Sequence, residues 1–218
     1  MKPIIASLLL LSATHASAIT ALISATPNLA IPDNSSLGVA DFQTLITPIE
    51  YIESIEVTLH ITGGFNGDYY VYLQHGTGFS VLLNRPGKTA ANEFGYADEG
   101  VFATFGVSAP NGDSHTYQSI INPAGGQLTG TWQPDGRNID PLNVLDTTPR
   151  TATLNSFLGN DANGQWTLFV ADRSSGGIGT LTSYSITING TIPEPTTFLF
   201  GLGGMALLLA RRRPVPAL

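Results

Sequence analysis

The sequence predicts an all-β fold, an antiparallel sandwich of short strands, from two observations. Apolar residues recur at every second position in several separated runs, the spacing that turns one face of a strand toward a core. The runs are parted by clusters of Gly, Asn, Asp and Pro, with 24 Gly and 14 Pro among 218 residues. No window between residues 19 and 192 repeats apolar residues at 3.6-residue spacing. Strands without crossover helices between them pair antiparallel.

The chain opens with a positive Lys2, an apolar run from Ile4 to Leu11 and the small residues Ala16-Ser17-Ala18. That order is read as a signal-peptide helix over 1–18, cut by signal peptidase after Ala18. The first clear strand follows at Tyr51–Thr62, where Tyr51, Ile55, Val57, Leu59 and Ile61 are apolar and Ser54, Glu56, Thr58, His60 and Thr62 are polar. Ile52 and Glu53 break the alternation. Gly63-Gly64-Phe65-Asn66-Gly67-Asp68 is a turn cluster, and Gly67, like Gly164 further on, is expected to hold a positive φ.

Tyr69, Val71 and Leu73 share one face of the next strand, which leaves Tyr70 and Tyr72 on the other. Phe79–Leu83 continues after a Gly-Thr-Gly turn, and Val101, Ala103, Phe105 and Val107 alternate again. Residues 129–153 hold Pro134, Pro141 and Pro149 and read as a long loop with at most one short strand. Trp166, Leu168 and Val170, then Tyr184, Ile186 and Ile188, complete the inward faces. Nothing within 19–192 marks a second domain.

The chain ends in Pro193-Glu194-Pro195, an apolar run from Phe198 to Ala210, and Arg211-Arg212-Arg213. As a helix the run reaches roughly 20 Å, short of a hydrocarbon core of about 30 Å. Terminal arginines favour the cytoplasmic side, which places everything upstream outside. Taken together, the tripeptide, the Gly-containing apolar segment and the Arg cluster resemble a PEP-CTERM sorting signal over 193–218. The resemblance implies a short transmembrane helix inserted transiently in the inner membrane, processing by an exosortase near the tripeptide, and delivery to the cell envelope or extracellular matrix.

Removing Glu194 from the 16 acidic residues, and Lys2 and the three tail arginines from the 9 basic ones, leaves 15 against 5 in 19–192, a net charge of −10. Such a surface argues against nucleic acid and anionic lipid as partners. There is no cysteine, so stability rests on the core without disulfides.

Within the domain, two blocks resemble the P/Homo B domain that follows the catalytic domain in subtilisin-like proprotein convertases. One runs from Ile31-Pro32-Asp33 through Ile55–Ile61 to Gly67-Asp68-Tyr69-Tyr70-Val71-Tyr72-Leu73. The other is Leu154-Asn155-Ser156-Phe157-Leu158-Gly159, Asn163-Gly164-Gln165-Trp166 to Asp172, and Gly179 to Ile186. The resemblance spans roughly 31–190 and implies a jelly-roll β-sandwich. Here Thr62-Gly63 and Tyr184 stand where the family often carries His-Thr and Trp.

No catalytic constellation is present. There is no Gly-x-Ser-x-Gly elbow and no His-Glu-x-x-His. His60 lies on the polar face of a strand, and His75 and His115 fall in turn-rich segments and are read as exposed. No cofactor is implied. Calcium is one reading of Asp68, Asp161 and Asp172, were they to converge at one end of the sandwich. The other is that each caps a turn through nearby backbone. Tyr70 and Tyr72 are likewise either sugar-stacking aromatics or partners in cross-strand packing.

These readings describe a non-catalytic exported β-sandwich that binds exopolysaccharide or an envelope protein. The alternative is an accessory P domain acting with a separately encoded subtilisin-like serine protease.

Overall fold

The computed structural model describes residues 18–122 and 126–192. The signal-peptide residues through Ser17, including Ala16, lie outside that range, as do Pro193, Glu194, Pro195, the apolar tail and Arg211, Arg212 and Arg213. Among the described residues no helix is long and apolar enough to cross a membrane.

Among the described residues, ten strands form two sheets. They are β1 (Ala18–Ala25), β2 (Leu29–Ile31), β3 (Ser35–Leu45), β4 (Tyr51–Phe65), β5 (Tyr69–His75), β6 (Gly78–Asn84), β7 (Glu99–Gly106), β8 (Leu128–Trp132), β9 (Gly164–Asp172) and β10 (Gly179–Thr191). The first sheet runs β1-β10-β4-β7-β8, with β2 also paired to β10, and the second runs β3-β9-β5-β6. Short 3-10 turns at Asn66–Asp68, Ser114–Ser119 and Leu154–Phe157 supply the remaining regular structure.

The core lies between the sheets and follows the alternation. Val57, Leu59, Ile61, Ile186 and Ile188 from one sheet face Val71, Leu73, Trp166, Leu168 and Val170 from the other, all fully buried. Trp166 donates its indole N–H to the Ala162 carbonyl at 3.0 Å, so its one polar atom is satisfied inside the core.

The break in alternation at Ile52 and Glu53 has a structural cause. Asn189 pairs with Ser54 but Gly190 pairs with Ile52, so Glu53 is the extra residue of a β-bulge. The bulge reverses the phase upstream: Ile52 is buried, whereas Tyr51, expected on the inward face, is 54% exposed.

One pair departs from the expected antiparallel arrangement. β7 and β8 run parallel. A parallel partner needs a long crossover, and the stretch from Val107 to Gln127, with its 3-10 turn, provides it. Strands β1 to β3 were not singled out from the sequence. Their inward residues are mixed with exposed apolar ones such as Leu22 and Phe42.

The long loop after β8 is fastened by a buried polar hub. Asp135, fully buried, accepts from the Asn84 amide at 3.2 Å, the Arg137 amide at 3.2 Å and His115 Nδ1 at 2.8 Å. Arg137 bridges to Asp113 at 2.9 Å and donates to the carbonyls of Leu145 and Asp146. Lys88 reaches the Val144 carbonyl at 3.2 Å. These bonds hold the loop over the edge strand β6, where it buries Val81 from the outer side.

Candidate functional site

The outer face of the β3-β9-β5-β6 sheet carries aromatic rings. Because Tyr69, Val71 and Leu73 point inward and are fully buried, Tyr70 and Tyr72 point outward. Tyr72 stacks on Phe169 of β9 with centroids 4.8 Å apart and planes at 17°, and meets Phe79 of β6 at 5.1 Å. Tyr70 lies 5.9 Å from Tyr72 and 6.4 Å from Phe169. Phe42 of β3, whose register partner is Thr167, is on the same face and 57% exposed. Burial pushes the Tyr70 phenol up to about 12 and raises Tyr72 as well. The rings pack across three strands and leave a half-exposed apolar patch outside.

The three aspartates do not share one end. Asp161 precedes β9 and Asp172 ends it, a separation of about 30 Å along an extended strand. Asp161 caps a turn, its Oδ1 accepting from the Asn163 amide at 2.8 Å and side chain at 2.7 Å. Those two bonds hold its carboxyl below the usual carboxylate range. Of the two readings, Asp68, Asp161 and Asp172 do not converge at one end, Asp161 caps a turn, and among the described residues no group of three or more His, Cys, Asp or Glu is placed to hold a metal ion.

Asp68 and Asp172 do come together, since Tyr69 of β5 pairs with Asp172. Arg85 reaches Asp68 at 3.5 Å and donates its Nε to the Gly67 carbonyl at 2.9 Å. Asp172 Oδ1 accepts from the Ser174 amide at 3.1 Å, while its buried Oδ2 has no hydrogen-bond partner. Burial and the neighbouring Asp172 charge push the Asp68 carboxyl up to about 6. Burial, with the Asp33 charge, also raises Asp172.

Gly67 is required here by close approach rather than by φ. It does not hold a positive φ, unlike Gly164 at +116°. A Cβ on Gly67 would run into the Phe94 carbonyl oxygen and the Tyr96 amide. Its own N–H donates to the Tyr96 carbonyl at 2.8 Å, which ties the 94–96 segment against Asp68.

Two histidines read as exposed are buried. His75 stacks on Trp166, centroids 4.1 Å apart and planes at 5°. Its ring nitrogens face the carbonyls of Gln165 and Asp161, each at 2.9 Å. His115 is fully buried between Asp135 and the Lys88 carbonyl. A His–Asp pair resembles two members of a hydrolytic triad, but both nitrogens of His115 are engaged and the ring touches no solvent. His60 remains on the outer face of β4, 5.0 Å from Phe102. The sequence signal for the buried histidines lay in long-range partners that spacing along the chain does not reveal.

No curated protein matches the chain. The family model for the proprotein convertase P-domain matches residues 137–188, which hold part of the fastened loop, β9 and most of β10. The earlier block of resemblance, from Ile31 to Leu73, lies outside that match. Two crystal structures of the Aeromonas sobria serine protease are similar. One, in complex with its chaperone ORF2, is 14% identical with a TM-score of 0.44. The other, of the serine protease, is 16% identical with a TM-score of 0.43. Each covers 80% of this chain, while the chain spans 27% of the solved one. The matched family is an accessory domain of proteases, and over residues 137–188 this chain is similar to it.

Proposed function

We propose that the folded part is an accessory module of the P-domain type, acting on a separately encoded subtilisin-like serine protease. The family match over residues 137–188 carries this reading. The strand order β1-β10-β4-β7 against β3-β9-β5-β6 supports reading the sandwich as a jelly roll. The outward aromatic patch supports a protein contact, because aromatic residues are enriched where protein surfaces meet. It favours protein over polysaccharide for a geometric reason. Tyr72 and Phe169 stack on each other, and the neighbouring rings lie tilted by 42° to 65°, so Tyr70, Tyr72, Phe79 and Phe169 do not align into one flat platform for a sugar ring. The signal peptide and the PEP-CTERM-like tail support export, exosortase processing and placement at the envelope as part of the same reading.

The test mixes the purified chain with a subtilisin-like protease from the same genome and follows complex formation by size-exclusion chromatography and protease melting temperature. A complex, and a rise in protease Tm lost with Tyr72→Ser and Phe169→Ser, is expected. No complex at micromolar concentrations, with retention in exopolysaccharide affinity gels instead, overturns it.

A further inference from the structure

We propose that the end of the sandwich around Asp68 holds a pocket for one cationic side chain of a polypeptide, a lysine or arginine, clamped between aromatic rings over a buried carboxylate. This site is separate from the outer aromatic face and does not depend on what docks there. A cavity of about 220 Å³ is lined by Phe65, Phe94, Tyr96, Asp68 and Ser174. Sites for drug-sized ligands run from about 300 Å³ upward, so this one suits a single side chain. Asp68 is the one charged group in the lining. Aromatic faces attract an ammonium or guanidinium through their quadrupole, the more so where water is excluded.

The pocket is built by the backbone rather than left as a surface irregularity. Backbone N–H hydrogen bonds from Asn66 to the Asp98 carbonyl at 2.9 Å, from Gly67 to the Tyr96 carbonyl at 2.8 Å and from Tyr96 to the Pro86 carbonyl at 2.9 Å fix its wall. Phe94 stands at the rim, 64% exposed.

A second observation points to a cation. Behind Asp68 lies Asp172, fully buried, with Oδ2 lacking any hydrogen-bond partner. Asp33 adds a third carboxylate to the same neighbourhood. Arg85 answers Asp68 at 3.5 Å, but Arg173 turns toward Asp140 at 3.9 Å. Asp33 itself is exposed, so the buried carboxylates are Asp68 and Asp172, and the one ion pair made to them is that of Arg85 with Asp68, an arrangement that a further cation would relieve. A metal ion does not fit the donor set, since no three ligands converge among the described residues.

The groups facing Asp68 are Asp172, Arg85, Ser174 and Asp33, and their balance with burial leaves its carboxyl pushed up to about 6. Cation binding needs that carboxylate ionised, so affinity rises about tenfold between pH 5 and 7.5.

The experiment titrates the intact chain with Nα-acetyl-lysine N-methylamide and n-butylammonium, reading the ring NMR signals of Tyr96 and Phe65. The norleucine analogue and calcium chloride serve as controls. Saturable shifts with both cations, about tenfold weaker at pH 5, and none with norleucine or calcium are expected. Asp68→Asn abolishes the response, and Phe94→Ala, at an exposed position that leaves the fold intact, weakens it. Equal binding of norleucine, a response unchanged in Asp68→Asn, binding of butylammonium without the lysine amide, or displacement by calcium each overturns the proposal. So does no shift in the wild type at millimolar ligand, or a response at full strength in Phe94→Ala.

Discussion

His115 and Asp135, twenty residues apart in sequence, meet at 2.8 Å in a fully buried pair. The other ring nitrogen of His115 lies 3.0 Å from the Lys88 carbonyl. Both of its partners are acceptors, so the doubly protonated ring alone satisfies them. Burial opposes that charge, but the hydrogen bond and charge of Asp135 prevail and hold the imidazole above its ordinary value. A raised folded-state value means stability that is fully present below the unfolded value of about 6.5 and is lost as pH rises through the folded one. Urea denaturation between pH 6 and 9 is expected to show a declining midpoint, flattened in His115→Gln. Asp135→Asn leaves the buried His115 without its counter-charge, while Arg137 keeps Asp113 at 2.9 Å, and is expected to cost about 3–5 kcal/mol at pH 6.

Asp68 contributes pH dependence of the same sign at lower pH. Its carboxyl moves from 3.8 to about 6 on folding, so its contribution is complete below pH 4 and lost as pH rises through 6. A shift of this size is worth roughly 3 kcal/mol. Asp68→Asn is expected to remove that decline, so the variant holds its Tm between pH 4 and 7 where the wild type falls.

Trp166 is fully buried in the core and carries His75 on its face. Trp166→Ala is expected to cost about 3–5 kcal/mol, measured by chemical denaturation. His75→Ala removes the stack and the ring's contacts to the Gln165 and Asp161 carbonyls, and a loss of about 1–3 kcal/mol is expected. A change in Trp166 fluorescence should accompany it.

Gly67→Ala sets a methyl against the Phe94 carbonyl and the Tyr96 amide. Backbone must shift, at a cost of about 1–3 kcal/mol. The NMR signals of Tyr96 should move, while those of Trp166 at the other end of the sandwich stay in place.

Some of this was legible in residue order. Two-residue alternation located β4, β5, β9 and β10 and their inward faces, because each buries one side only. Tyr70 and Tyr72 could be assigned to the outer face for the same reason. β3 could not be read, since its exposed Leu37 and Phe42 blur the pattern. The hub around Asp135 was invisible because its members come from the β6 edge, a 3-10 turn and the long loop. Asp68, Asp161 and Asp172 looked alike as acids at strand ends, and only strand direction separated Asp161 from the other two.

By itself, then, the sequence determined the fold class, the inward and outward residues of the main strands, and the absence of a hydrolytic motif. These depend on local periodicity and residue type. Tertiary structure alone decided which charges share a burial site, which histidines lose their solvent, and that Phe169 and Phe79 would join the two tyrosines in one patch. Such outcomes follow from sheet order and register, which bring together residues up to about 170 positions apart in sequence and which no local pattern encodes.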